Sequence, residues 1–258
     1  MSGLTFDESS HKYQLDGKDI PSVTTLLNAL PQPWMKPWVV NTIADWCVGN
    51  PDEVYRRATY TADDEPSLRQ FFQGLPDALR DMAGTRGTAV HEIAERLLVE
   101  PEVEVPQELA GYAQSAANFL NDWRITPQVV ERPLVNRRYW YAGKPDLLGP
   151  LPDGRMALVD YKTAAKGIKK DKDGLQQVGY ANAEFYIDES GNEIPMPHVD
   201  LSLLVHLTPS GYKAYEVAIT PAAFDLFLSV AELSNGIKTI NSLVGKALPV
   251  PAWKGANA

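Results

Sequence analysis

Only one cysteine, Cys47, occurs in the 258 residues. That excludes an intrachain disulfide, and a four-cysteine iron–sulfur cluster or zinc site built from this chain alone. Its setting, Ala44-Asp45-Trp46-Cys47-Val48, reads as one face of a helix, where a thiol is a small apolar packing group rather than a nucleophile. Apolar runs long enough to span a bilayer are also missing. The stretch Met1–Glu8 has neither the basic nor the apolar part of a signal peptide, so a cytoplasmic protein is expected. Positive charge is in short supply: 24 Lys and Arg against 33 Asp and Glu give a net charge of −9 and a pI near 5.0. Such a chain does not coat nucleic acid nonspecifically, although it can act on it, because only the field along the binding groove matters. Internal repeats and low-complexity tracts are absent. What remains, 44% hydrophobic and 22% charged, is an ordinary globular composition, long enough for one large domain or two small ones.

The most informative stretch is Gly143-Lys144-Pro145-Asp146-Leu147-Leu148, followed by Val159-Asp160-Tyr161-Lys162-Thr163. Between them Pro152-Asp153-Gly154 is a strong turn signal. The flanks Tyr139-Trp140-Tyr141 and Met156–Val159 are aromatic, β-branched and apolar, as strands are. A hairpin centred on Asp153 puts Asp146 opposite Asp160, with Cα atoms roughly 4.5–5.5 Å apart. Lys162 then points to the same face, about 6.6 Å further along. Two carboxylates side by side on an apolar hairpin repel one another, and a divalent cation with a taste for oxygen ligands removes the conflict. The bland alternative is a surface hairpin whose charges include an Asp160–Lys162 ion pair. The local field is favourable for a polyanion: Lys162, Lys166, Lys169, Lys170 and Lys172 follow the turn, and Arg132, Arg137, Arg138 and Lys144 precede it. A solvated lysine loop explains the same run.

Along the chain, Tyr13–Ile20 predicts a hairpin with a turn at Asp16-Gly17, and Ser22 is placed to cap a helix beginning at Val23. Trp34, Trp38 and Trp46 follow, and core packing explains them better than base stacking. Short helical patterns at 51–58, 67–72 and 76–82 suggest a helical subdomain. Longer helices are predicted over 85–99 and 107–123. A strand pattern over 129–135 leads into the central hairpin, then a helix over 174–186, strands over 199–207 and 212–219, and a helix from Pro221 to Leu243 begun by Thr220. The fold class expected is α/β, a mixed sheet flanked by helices with a helical N-terminal portion. The domains expected are an N-terminal portion over 1–84, a core over 85–248 and a loose tail over 249–258.

On the helix over 85–99, Gly87, His91 and Glu95 share a face, and a helical glycine suggests close packing. His91-Glu92-x-x-Glu95 departs from the His-Glu-x-x-His of zinc proteases. Gln176 and Tyr180 stand four apart and offer uncharged hydrogen bonds.

Gly87-x-x-x-His91, Gly143-x-x-Asp146, Asp160-x-Lys162 and Gln176-x-x-x-Tyr180, in this order over 86–181, resemble the RecB-like branch of the PD-(D/E)XK nucleases. The phage exonucleases related to the CRISPR-adaptation nucleases are the nearest in pattern, and Pro21-Ser22-Val23-Thr24 also resembles the N-terminus of phage members. The resemblance implies a restriction-endonuclease-like core and a DNA exonuclease, used in phage replication or recombination, that needs Mg²⁺ or Mn²⁺. It implies His91, Asp146, Asp160 and the Tyr161 carbonyl as metal ligands, with Lys162 holding or deprotonating water and balancing phosphorane charge. Gln176 and Tyr180 would position the lysine or a phosphate, and Arg86 and Lys166 would contact the DNA. Glu95 would bind a second metal or a ligand water. The partner implied is single- or double-stranded DNA ends, with a recombination or single-strand-binding protein as a candidate companion; no membrane is involved. One departure stands out: many relatives hold an iron–sulfur cluster through four cysteines, and this chain has one. A structure-specific endonuclease or resolvase, a binding module without catalysis and an unrelated α/β enzyme are the alternatives.

Overall fold

The structure is a computed structural model that describes residues 3–7, 12–60, 65–100, 102–165 and 167–248. The expected loose tail over 249–258, and Lys166, lie outside these residues. In chain order the elements are β1 (Leu4–Asp7), β2 (Lys12–Leu15), β3 (Lys18–Ile20), α1 (Val23–Leu26), α2 (Met35–Gly49), α3 (Pro51–Thr59), α4 (Leu68–Val99) and α5 (Ala110–Trp123). There follow β4 (Val129–Val130), β5 (Leu134–Asn136), β6 (Tyr141–Gly143), β7 (Leu147–Pro150), β8 (Met156–Lys162), α6 (Lys172–Ala181), β9 (Phe185–Ile187), β10 (Glu193–Pro195), β11 (Leu201–Thr208), β12 (Gly211–Glu216) and α7 (Pro221–Asn241).

A five-stranded sheet of order β12-β11-β8-β7-β4 lies at the centre. It is mixed, since β8 and β11 run parallel and the other neighbours antiparallel. The alternation of strand side chains sends Leu147, Val159, Tyr161, Leu203 and Val205 to one face, where they pack with Val90 and Ile93 of α4 and Phe119 of α5. Leu148 and Leu158 point to the other face, against Val23, Val178 of α6 and Phe227 of α7. The sheet is thus buried on both sides, which is why β8 is apolar at nearly every position. A second, four-stranded sheet, β10-β9-β5-β6, meets the N-terminal three-stranded meander through Val135, Ala142 and Phe185 against Tyr13, Leu15 and Ile20.

The central hairpin turns where expected. Leu147 pairs with Val159 and Pro150 with Met156, and Gly154 supplies the positive φ of 89° that the turn requires. The N-terminal turn at Asp16-Gly17 and the Ser22 cap also form, with the Thr25 N–H donating to Ser22 Oγ at 3.0 Å.

Several expectations are corrected. The patterns at 67–72, 76–82 and 85–99 are one 32-residue helix, α4, started by a Ser67–Gln70 capping box and containing Pro76. Proline and the glycines at 74, 84 and 87 look like breaks locally, yet the helix continues from the buried Leu75 and Pro76 across an exposed stretch over 77–86 to Val90, Ile93 and Ala94, which are buried again. It runs unbroken through positions 84 and 85. The helix expected over 174–186 ends at Ala181, because Phe185–Ile187 is taken up as β9 beside β5. Tyr139 and Trp140 belong to a turn, Trp140 having φ 55°, rather than to a strand. The tryptophan segment is not core: α2 buries no residue, and Trp34 is 42% exposed. No helix among the described residues is long and apolar enough to cross a membrane.

Candidate active site

The strand expected over 129–135 is two strands in two different sheets, and the site is built at that break. Val130 stands opposite Leu147 in the central sheet, and Leu134 opposite Gly143 in the smaller one. Both pairings follow one register, so the hairpin continues across the gap and brings Glu131 opposite Asp146, joined by a Glu131 N–H to Asp146 carbonyl bond of 3.3 Å. Pro133 and Pro145 lack the N–H groups a continuous ladder needs, and Glu131 takes a φ of 49°. On its other side Asp146 extends the Leu147–Val159 register towards Asp160. Glu131, Asp146 and Asp160 therefore form a row across three neighbouring chain segments.

His91 of α4 closes the row from one side. Its Nδ1 lies 3.1 Å from Asp146 Oδ1, while Asp146 Oδ2 accepts the Tyr161 N–H at 2.5 Å. From the other side Lys162 Nζ approaches Asp160 Oδ2 at 2.6 Å and donates to Gln176 Oε1 at 3.1 Å. Gln176 Nε2 donates to both Asp160 Oδ1 and the Tyr180 hydroxyl at 2.9 Å. This fixes the amide: its oxygen faces the ammonium and its nitrogen the carboxylate. Gly143 admits the Tyr180 ring, since a Cβ there would sit 2.4 Å from Tyr180 Cε1. Gly87 similarly faces Thr163 Oγ1, 3.2 Å from where its Cβ would be.

These groups line a cleft of about 480 Å³ with Thr88, Glu92, Glu95 and Lys144. Five carboxylates (Glu92, Glu95, Glu131, Asp146, Asp160) face two lysines there. Burial and the Asp146 carboxylate push Glu131 up to about 7, even with the Lys144 ammonium beside it. Burial would depress the His91 imidazole, but the Asp146 charge and hydrogen bond outweigh it and raise its pKa to about 9. Against its own burial, Asp146 is held down to about 2 by His91, Glu131 and the Tyr161 N–H. Burial drives Asp160 upward, partly offset by Lys162. Lys162 is raised by Asp160 despite burial, so it stays an ammonium at neutral pH.

Every expected residue within the described range is accounted for. His91, Asp146, Asp160, Lys162 and Gln176 come together in the cleft, with Glu95 on its wall. Tyr180 does not reach the cleft surface; it is 4% exposed and acts on Gln176 from behind. The Tyr161 side chain is buried on the opposite face, edge-on to Phe119. Arg86 is exposed on α4 next to Gly87 at the edge of the cleft, but is not itself among the lining residues. Among the described residues, the group whose ligand atoms all approach one another, within 4.8 Å, is His91, Glu131 and Asp146. It includes Glu131, which the sequence reading missed, and leaves Asp160 with Lys162 and Gln176. The basic field expected from residues 132–144 is largely spent: Arg132 pairs with Glu189, Arg137 with Glu193 and Lys144 with Glu131.

No family model matches the chain, and no curated protein matches it. Among solved structures, one titled "Crystal structure of SSO0001" is similar at 15% identity and a TM-score of 0.31, over 52% of this chain and 62% of that one. The chain thus spans less than two thirds of that structure's length.

Proposed function

We propose that the chain is a metal-dependent deoxyribonuclease with a RecB-like PD-(D/E)XK core, acting from DNA ends. One observation carries the reading: a row of three largely buried carboxylates faces an imidazole on one side and an ammonium on the other, in an open cleft. Without a cation this arrangement is electrostatically costly, as the raised pKa of Glu131 records.

The donor set fits a hard divalent ion. Octahedral ligands at about 2.1 Å lie roughly 3.0 Å apart when adjacent and 4.2 Å when opposed. His91 Nδ1 and Asp146 Oδ1 are already 3.1 Å apart, and the three-residue group closes within 4.8 Å. Asp160 Oδ2 is buried and lacks a well-aligned hydrogen bond although it touches the ammonium, so a lone pair is available. His91, Glu131 and Asp146 would hold the ion, with Asp160 adjoining. When bound, Mg²⁺ or Mn²⁺ supplies positive charge to a phosphodiester and eases deprotonation of water.

The remaining chemistry belongs to side chains. Lys162, kept protonated by Asp160, places a positive charge where the pentacovalent phosphorane gains negative charge, and its N–H groups orient the attacking water. Gln176 holds that ammonium in place, and Tyr180 holds Gln176. The five cleft carboxylates repel a phosphate backbone, which makes cleavage strictly dependent on the cation.

End-labelled linear DNA incubated with Mn²⁺ is expected to be degraded from its ends, while covalently closed circles survive. EDTA stops the reaction and excess Mn²⁺ restores it, the imidazole making manganese at least as good as magnesium. Cleaved circles would move the assignment to an endonuclease, and intact DNA with every divalent ion would reject it.

A further inference from the structure

Beside the cleft is a small surface depression that the reaction chemistry leaves unused, lined among others by Leu27, Pro31, Trp34, Lys169, Lys172 and the Asp171 carboxylate. Trp34 lies on this surface, 42% exposed, with Lys169 Nζ 4.6 Å above its ring and Trp38 edge-on behind it at 6.3 Å. Lys172 donates to Asn28 Oδ1 at 2.8 Å. It also stands four residues before Gln176 on α6, so it shares Gln176's face about 6 Å away. A continuous track therefore leads from Lys162 past Gln176 and Lys172 to Lys169 and Trp34.

Asp171 accepts the Lys172 N–H and Asp173 the Lys169 N–H, so both carboxylates are engaged by main chain. Among the described residues neither Lys169 nor Lys172 has an ion pair. Burial and the neighbouring Lys169 lower the Lys172 pKa, while the Asp173 and Asp171 carboxylates act the other way.

Resting on the nuclease reading, we propose that this depression binds an unpaired stretch of the DNA strand next to the cleavage site, one base stacking on Trp34 and phosphates meeting Lys169 and Lys172. The magnitudes favour it. An exposed ammonium over an aromatic ring is worth about 0.5–1 kcal/mol, whereas a stacked base is worth about 1–3 kcal/mol. A base can displace the Lys169 head from the ring and leave it free for a phosphate. Inside a duplex both faces of every base are already stacked and only the terminal pairs have an open face, so the contact favours single strand.

The test is fluorescence anisotropy in EDTA with a labelled oligothymidylate and a blunt duplex of equal length. Trp34→Ala is expected to weaken oligothymidylate binding roughly 5- to 150-fold, lowering the single-strand to duplex affinity ratio, and Trp34→Phe to restore most of it. Lys172→Met should flatten the log–log salt slope by about 0.7. The proposal is overturned if Trp34→Ala binds like wild type, if both DNAs weaken equally, or if wild type binds no oligothymidylate. The two readings fail separately. Trp34-dependent binding without cleavage under any metal removes the nuclease and keeps the depression, and cleavage indifferent to Trp34 does the reverse.

Discussion

Lys162→Ala is expected to lower DNA cleavage by about 10²- to 10⁴-fold with little change in fold. Its ammonium meets Asp160 and Gln176, and in the proposed reaction it is the cation that the chain itself would bring to the phosphate. Removing it leaves Asp160 buried without its partner, but that carboxyl is already pushed towards protonation and can take up a proton rather than remain an unpaired charge. Asp160→Asn is the complementary change, keeping the oxygen that accepts from Gln176. Initial rates on end-labelled DNA, with circular dichroism melts as the fold control, measure both. Full activity in either variant would remove Lys162 and Asp160 from the mechanism.

Gly143→Ala carries the second large effect, because one methyl group strikes the support of the site. The new Cβ would meet Tyr180 at Cε1, 2.4 Å, and Cδ1, 2.9 Å. The ring has little room to swing aside, being 4% exposed and part of the apolar cluster that contains Val23 and Leu134. Overpacking of this kind costs about 1–3 kcal/mol, a fall in Tm of roughly 2–12 °C at this chain length. Displacing Tyr180 also releases one anchor of Gln176, and Gln176 orients Lys162; a shift near 1 Å is enough for about 10²-fold in rate. Gly143→Ala/Tyr180→Leu makes room for the methyl and should recover much of the Tm but not the rate. Unchanged melting and activity in Gly143→Ala would show that the Tyr180–Gln176 support is not needed.

The parts of the site that were legible in the sequence are those fixed by local geometry. A Pro-Asp-Gly turn sets the hairpin register, which pairs Asp146 with Asp160, and helical spacing puts Gln176 and Tyr180 on one face. Glu131 was not legible. Its place opposite Asp146 depends on a register that persists across a gap made by Pro133 and Pro145, and a proline normally signals that pairing has stopped. A glutamate two residues before one proline, with an aspartate just after the other, was the available clue. The exposure of Trp34 was equally hidden, since composition favours aromatic burial and only tertiary packing reveals that α2 has no core of its own. The long α4 was masked because Gly74, Pro76, Gly84 and Gly87 weigh heavily in local propensity.

Titration calorimetry with Mn²⁺ on wild-type protein and on Asp146→Asn, at pH 6 and pH 8, tests the central claim most directly. Without metal, His91 with a pKa near 9 and Glu131 near 7 hold protons that an entering cation must displace. The account predicts saturable binding to wild type, tighter at pH 8 than at pH 6 and accompanied by proton release, and its loss in Asp146→Asn. Mn²⁺ binding that is equally tight in Asp146→Asn, or absent from wild type at both pH values, would contradict it.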